Sequence, residues 1–407
     1  MHPGLKMGAA VLAAGLAITL PAAAELAVSG NDGKQPELFQ KPHDTVPDTV
    51  TVIDLGTYPP KIRGQVEVPY SMIGEPTSVA VAHGGGFALI TASQKYDSVD
   101  TNKIIPDDKL SVVDLADPDH PKVIQTLSAG QGPSGVSINK NDTLAVVANV
   151  WDGTVAAFTI KGKTLTPAGK IQLDAKLGPV DAVISPDSKT AMITQRHGNG
   201  VWRLAIKDGQ LSDTGVMIMS GGNPYGGQFG ADGRYFYNTN LLGRIDPNEQ
   251  AGPREQAGPR EQAGLRQRQP RIGTVTVIDM KTNAVVNTIE VGPTPEHLVL
   301  SPDRKYMEVT VVNGSSANPT SPGFHENGFL KVFKVDGATL TQVAEAPTGK
   351  WGQGAAWSKD GKTILLQGAI SRNIEVYHFD GHSLTRDDSA TLSMPGRPGA
   401  VATRYSR

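Results

Sequence analysis

Gly178-Pro-Val-Asp-Ala-Val-Ile-Ser-Pro-Asp187 opens a stretch that reads as four short strands in succession. Ala182 to Ser185 is apolar and β-branched, the Pro186-Asp187 turn reverses the chain, and Thr190 to Thr194 runs back. Gly200 to Ile206 supplies a third strand and Gly215 to Met219 a fourth. Apolar and polar residues alternate between Gly, Asp and Asn turns, the pattern of antiparallel strands on a pleated surface. The same opener, a Gly or Pro with an apolar patch and then a Pro-Asp or Asp-Gly turn, recurs at Pro76, Pro133, Pro224, Pro295, Gly352 and Pro398. One small sheet cannot bury both faces alone, so a period of about 45 residues implies that such sheets are stacked.

Further copies of the third strand stand at Lys109 to Asp114, Gly153 to Phe158, Gly273 to Asp279, Phe329 to Phe333 and Asn373 to Tyr377. Each repeat is therefore a blade of strands a to d, and the fold class is all-β, a seven-bladed β-propeller. The last opener leaves room for one strand before Arg407, while Thr49 to Asp54 and Gly64 to Val68 match strands c and d. The N- and C-terminal strands are thus expected to share one blade, which closes the ring and removes open sheet edges. Three repeats carry extra residues between strands b and c, at 92–108, 239–272 and 312–328. Because strands alternate in direction, those insertions and the d–a openers emerge on one face, the candidate functional face.

Lys6, the apolar run Met7 to Leu20 and the small residues Ala22 to Ala24 form a secretory signal peptide over 1–24. A periplasmic or secreted protein is expected, with no membrane span after cleavage. Residues 25–48 read as a flexible lead-in, 49–407 as the single propeller domain, and 244–271, with its repeated Glu-Gln-Ala-Gly-Pro-Arg, as a disordered insertion. The chain has no Cys, which excludes thiol chemistry and Cys-based metal sites. With 38 basic and 40 acidic side chains it has no polybasic footprint, so no nucleic-acid partner is expected.

The unit Gly273-Thr-Val-Thr-Val-Ile-Asp-Met-Lys-Thr-Asn-Ala-Val-Val-Asn-Thr-Ile-Glu-Val-Gly292, followed by Pro295-Glu-His-Leu-Val-Leu-Ser-Pro-Asp303, resembles the YVTN-type and lactonase-like β-propellers over about residues 49 to 406. That resemblance implies the propeller and leaves the chemistry open, since its members include sugar-lactone hydrolases, muconate cycloisomerases and exported proteins without an established reaction.

His297 follows an opener Pro near the channel, where a general base for attack on an ester or lactone would sit; a His packed within the ring is the alternative. Arg196 and His197 occupy the short b–c turn of the third blade, where an Arg can hold a carboxylate or an oxyanion and an ordinary polar turn is the alternative. Asp181, Tyr225, Glu296 and Gln353 with Arg397 take matching places in their own repeats and are expected to converge at the channel mouth, with Trp151, Asp152 and Trp351 beside them. No Gly-x-Ser-x-Gly elbow, His-Glu-x-x-His, calcium loop or P-loop occurs, and no metal or cofactor is implied. The expected function is binding of a small polar metabolite or an exported protein partner on the loop-rich face, without turnover and as a monomer. A lactonase-like hydrolase using His297 or His197 with Arg196 or Arg397 is the alternative, and a propeller serving an exported oxidoreductase or a metal is a third.

Overall fold

Seven antiparallel sheets account for the strands of the described residues, and no α-helix occurs among them. The structure, a computed structural model, describes residues 25–34, 45–100, 102–244 and 271–407. The expected signal peptide, residues 35–44 of the lead-in and residues 245–270 of the repeated insertion lie outside the described residues.

The strand order of the third repeat is a plain meander: a (Pro179–Ile184), b (Thr190–Gln195), c (Gly200–Lys207) and d (Gln210–Met219). The sheets opening at Val79–Val81, Pro133–Ile138, Gly222–Phe229, Pro295–Leu300 and Gly352–Trp357 follow the same order. Strand a of every blade touches strand a of both neighbours, so the ring closes around one axis. This is a seven-bladed β-propeller.

Seven apolar clusters lie one per interface between adjacent blades, as the alternation along each strand requires. In strand a of blade 5, Leu298 and Leu300 pack toward blade 4 while Val299 packs toward blade 6 with Trp357. Each fully buried aliphatic or aromatic side chain contributes about 1.5–3 kcal/mol relative to exposure. Stability is therefore distributed around the ring rather than held in one core.

The closing blade orders Arg397–Thr403, Leu26–Asp32, Thr49–Asp54 and Lys61–Glu67. The two chain ends share it, as the repeat count requires, with one correction. Leu26–Asp32, expected within the flexible lead-in, is strand b, buried at every position and paired on both sides. Leu26-Ala-Val-Ser-Gly-Asn31 mirrors Leu144-Ala-Val-Val-Ala-Asn149 of blade 2, the signal that identifies it. In both strands the Asn donates to a Thr hydroxyl of strand c, Asn31 to Thr51 and Asn149 to Thr154.

The insertions do fall between strands b and c. In blade 1 they extend both strands, Phe87–Tyr96 and Ile104–Asp114, into a long hairpin. In blade 5 residues 312–328 form turns that pack on the connection into blade 6. Among the described residues no helix is long and apolar enough to cross a membrane.

Candidate functional site

The d–a connections and the ends of strands b meet at the ring axis on the loop-rich face. Arg196 follows strand b of blade 3, and its side chain reaches across the mouth to blade 1, where Nη1 donates to Glu75 Oε1 at 3.2 Å. The guanidinium lies over the Tyr225 ring of blade 4, 5.8 Å from its centroid. Burial works against its charge, but Tyr225, Glu75 and Glu296 outweigh it and hold its pKa above the ordinary value. The Arg196 side chain is 37% exposed, whereas that of Glu75 is 2% exposed. One end of this ion pair is thus presented to solvent and the other is sealed.

Glu75 is further held by Ser93, whose Oγ donates to Oε2 at 3.3 Å. Burial pushes its carboxyl above the ordinary range, opposed by Arg196, Ser93 and Ser134. Glu75 was absent from the sequence-based candidates because it precedes Pro76, whereas Glu296 follows Pro295. Its signal was its register: Trp351, which also reaches the mouth, holds the same place before its own opener.

Glu296 is half-buried and accepts from Trp351 Nε1 at 3.2 Å. Trp351 itself adopts φ 53, a left-handed conformation that a bulky side chain rarely takes. Strain of this kind persists only where surroundings over-determine it. Here Ser315 of the blade 5 insertion accepts the Trp351 N–H at 3.0 Å, and Arg397 stacks on the indole at 5.6 Å.

The structure therefore brings Arg196, Tyr225, Glu296 and Trp351 together with Glu75 at the mouth. The other expected members are held by partners of their own. Arg397 is buried and donates to Asp32 Oδ2 of the closing blade at 2.7 Å. Gln353 is buried, its Nε2 donating to Gly74 O at 2.6 Å across the connection into blade 1. Asp181 does not stand open at the mouth: Arg407 clamps its carboxylate at 2.8 and 3.0 Å, and Ala182 and Gly227 N–H groups complete its partners. Ser406 O accepts from Gln228, so the segment after strand a of the closing blade fills the axis against blades 3 and 4. Asp152 caps its own turn, accepting from the N–H groups of Gln131 and Thr154, and Trp151 beside it is 46% exposed.

His297 is 4% exposed and faces blade 6. Its Nδ1 lies 3.2 Å from Glu308 Oε1 and 3.3 Å from the Ala355 N–H, both buried. His197 is exposed and stands against the Gly178 turn. His297 is thus enclosed between blades 5 and 6.

The ring is shared with many solved structures. A provisional 6-phosphogluconolactonase from Bacteroides uniformis superposes with a TM-score of 0.68 at 16% identity, covering 93% of this chain and 99% of the other. The periplasmic gluconolactonase of Pseudomonas aeruginosa gives 0.66 at 14% identity, covering 94% and 99%. A protein of unknown function from Desulfotomaculum acetoxidans gives 0.65 at 16% identity, covering 93% and 99%. At such identities the likeness establishes the fold alone. No protein-family model matches the chain, nor does any curated protein sequence.

Proposed function

We propose that the loop-rich mouth binds a small polar metabolite without net charge, one presenting hydroxyls or paired charges, and does not turn it over. The observation that carries this reading is the Arg196 guanidinium, one-third exposed over Tyr225 and backed by the sealed Glu75 carboxylate. An Arg fixed in this way offers preformed donors at little entropic cost. Glu75 and Glu296 beside it cancel the excess positive charge that a simple anion requires, while Glu296 supplies an acceptor. The N-terminal Lys6 and Met7 to Leu20 segment supports an exported, periplasmic setting.

The reading without turnover is supported by the setting of the imidazoles. A general base must reach the proton it removes within hydrogen-bond distance, and His297 is enclosed with Glu308 and the Ala355 N–H while His197 borders the Gly178 turn. The test is a thermal-shift and calorimetric screen of neutral polyols, aldonolactones, zwitterions and sugar acids. Binding of a neutral or zwitterionic compound that Arg196→Met weakens about tenfold, corresponding to one charged hydrogen bond, is expected. Hydrolysis of a lactone that depends on His297 or His197 would overturn the reading in favour of the hydrolase.

A further inference from the structure

Gln367 lies near the end of strand b in blade 6 and is fully buried, 0% exposed. Among the described residues, neither its Nε2 nor its Oε1 has a hydrogen-bond partner. The corresponding position in blades 1 and 3 is Thr91 or Thr194, whose hydroxyl closes on a carbonyl of the next blade's strand a, Ser134 O and Tyr225 O. Gln367 is longer, and its side chain passes strand a of its own blade at Gly354. A Cβ on that glycine would stand 2.7 Å from Gln367 Oε1, 2.7 Å from Pro76 Cβ and 3.4 Å from His297 Cγ. The carboxamide thus ends at the ring axis, between blades 1, 5 and 6, next to the residue that follows Glu75.

A carboxamide has two donors and an acceptor with two lone pairs. Burying it with all of them unmet forfeits its hydration and gains nothing in return. We propose that the axis beneath the mouth is a binding site for a neutral molecule that both donates and accepts hydrogen bonds, and that its occupant is an ordered water held by Gln367. Buried waters make about three protein hydrogen bonds and sit where polar groups have no protein partner. Gln367 supplies a donor and an acceptor, and the His297 ring borders the same point through Cγ. The site does not depend on the ligand proposed for the mouth.

The test compares Gln367→Leu and Gln367→Met with the wild-type protein, together with a high-resolution crystal structure. If the carboxamide holds a water, removing it strands that molecule among apolar atoms, and both variants lower Tm, by on the order of 2 °C or more. Density is then expected within hydrogen-bond distance of both Gln367 side-chain polar atoms in the wild type. If the pocket is dry, an apolar side chain of similar volume relieves an unpaired polar group and Tm rises or stays level. That result, or a wild-type structure with no density at the carboxamide, overturns the proposal. Loss of folding in both variants leaves the crystallographic arm to decide, and this arm needs no substitution.

Discussion

Arg196→Met isolates the energetic role of the ion pair at the mouth. The substitution keeps an unbranched apolar stem but leaves the Glu75 carboxylate, 2% exposed, facing the axis without its counter-ion. Breaking a buried pair costs about 3–5 kcal/mol, and the 37% exposure of Arg196 lowers that through solvent screening. The expected loss at pH 8 is about 1–3 kcal/mol, a Tm drop of a few degrees. Its pH dependence carries the sign of the Glu75 shift. Burial already raises the folded-state carboxyl above its unfolded value, so its favourable contribution is complete below the unfolded pKa and is lost as pH rises through the folded one. Removing Arg196 raises the folded value further and widens that window upward. The deficit should therefore be small near pH 4.5 and grow toward pH 8, and Glu75→Gln in the same chain should recover most of it. Differential scanning fluorimetry of wild type, both single variants and the double variant across this range is the assay. A deficit equal at all pH values, or a double variant no better than Arg196→Met, would refute the reasoning.

Arg407→Ala should destabilise the protein by about 3 kcal/mol, because it abandons the buried Asp181 carboxylate; Asp181→Asn added to it should restore part of the Tm. Trp357→Ala empties the interface between blades 5 and 6, where the indole is fully buried and donates to Val299 O. A loss of about 3–5 kcal/mol in chemical denaturation is expected, with a lower unfolding midpoint. Ser315→Ala removes the acceptor that fixes the left-handed Trp351 and should cost about 1 kcal/mol and weaken ligand binding at the mouth while leaving the far-UV spectrum unchanged.

The architecture was legible because propeller strands are local and periodic. Gly178 to Met219 alone discloses four strands, and the openers disclose seven blades. Strand b of the closing blade was not, since Ser29, Gly30, Asn31 and Asp32 have loop composition. Their match to Leu144–Asn149 was the only local signal, and pairing with both Thr49–Asp54 and Arg397–Thr403 sets them as a strand. The mouth was legible in part. Ring geometry brings Tyr225 and Glu296 to one rim, and Arg196 joins them from its turn. Which face each side chain takes depends on bulges that interrupt the start of strand a. Register shifts between Pro179 and Asp181, and between Pro295 and His297, turn Asp181 to Arg407 and His297 to Glu308. The clamp on Asp181 joins residues far apart in sequence, and nothing in either local pattern announces it.

Closure of the ring by both chain ends is the claim on which the mouth depends, and backbone hydrogen exchange of residues 26–32 tests it most directly. Ala27 to Asn31 lie between two ladders, so the amides of that strand should exchange as slowly as those of 49–54 and 397–403, with all three segments opening together. Exchange of 26–32 within seconds, while 397–403 stays protected, would contradict the account.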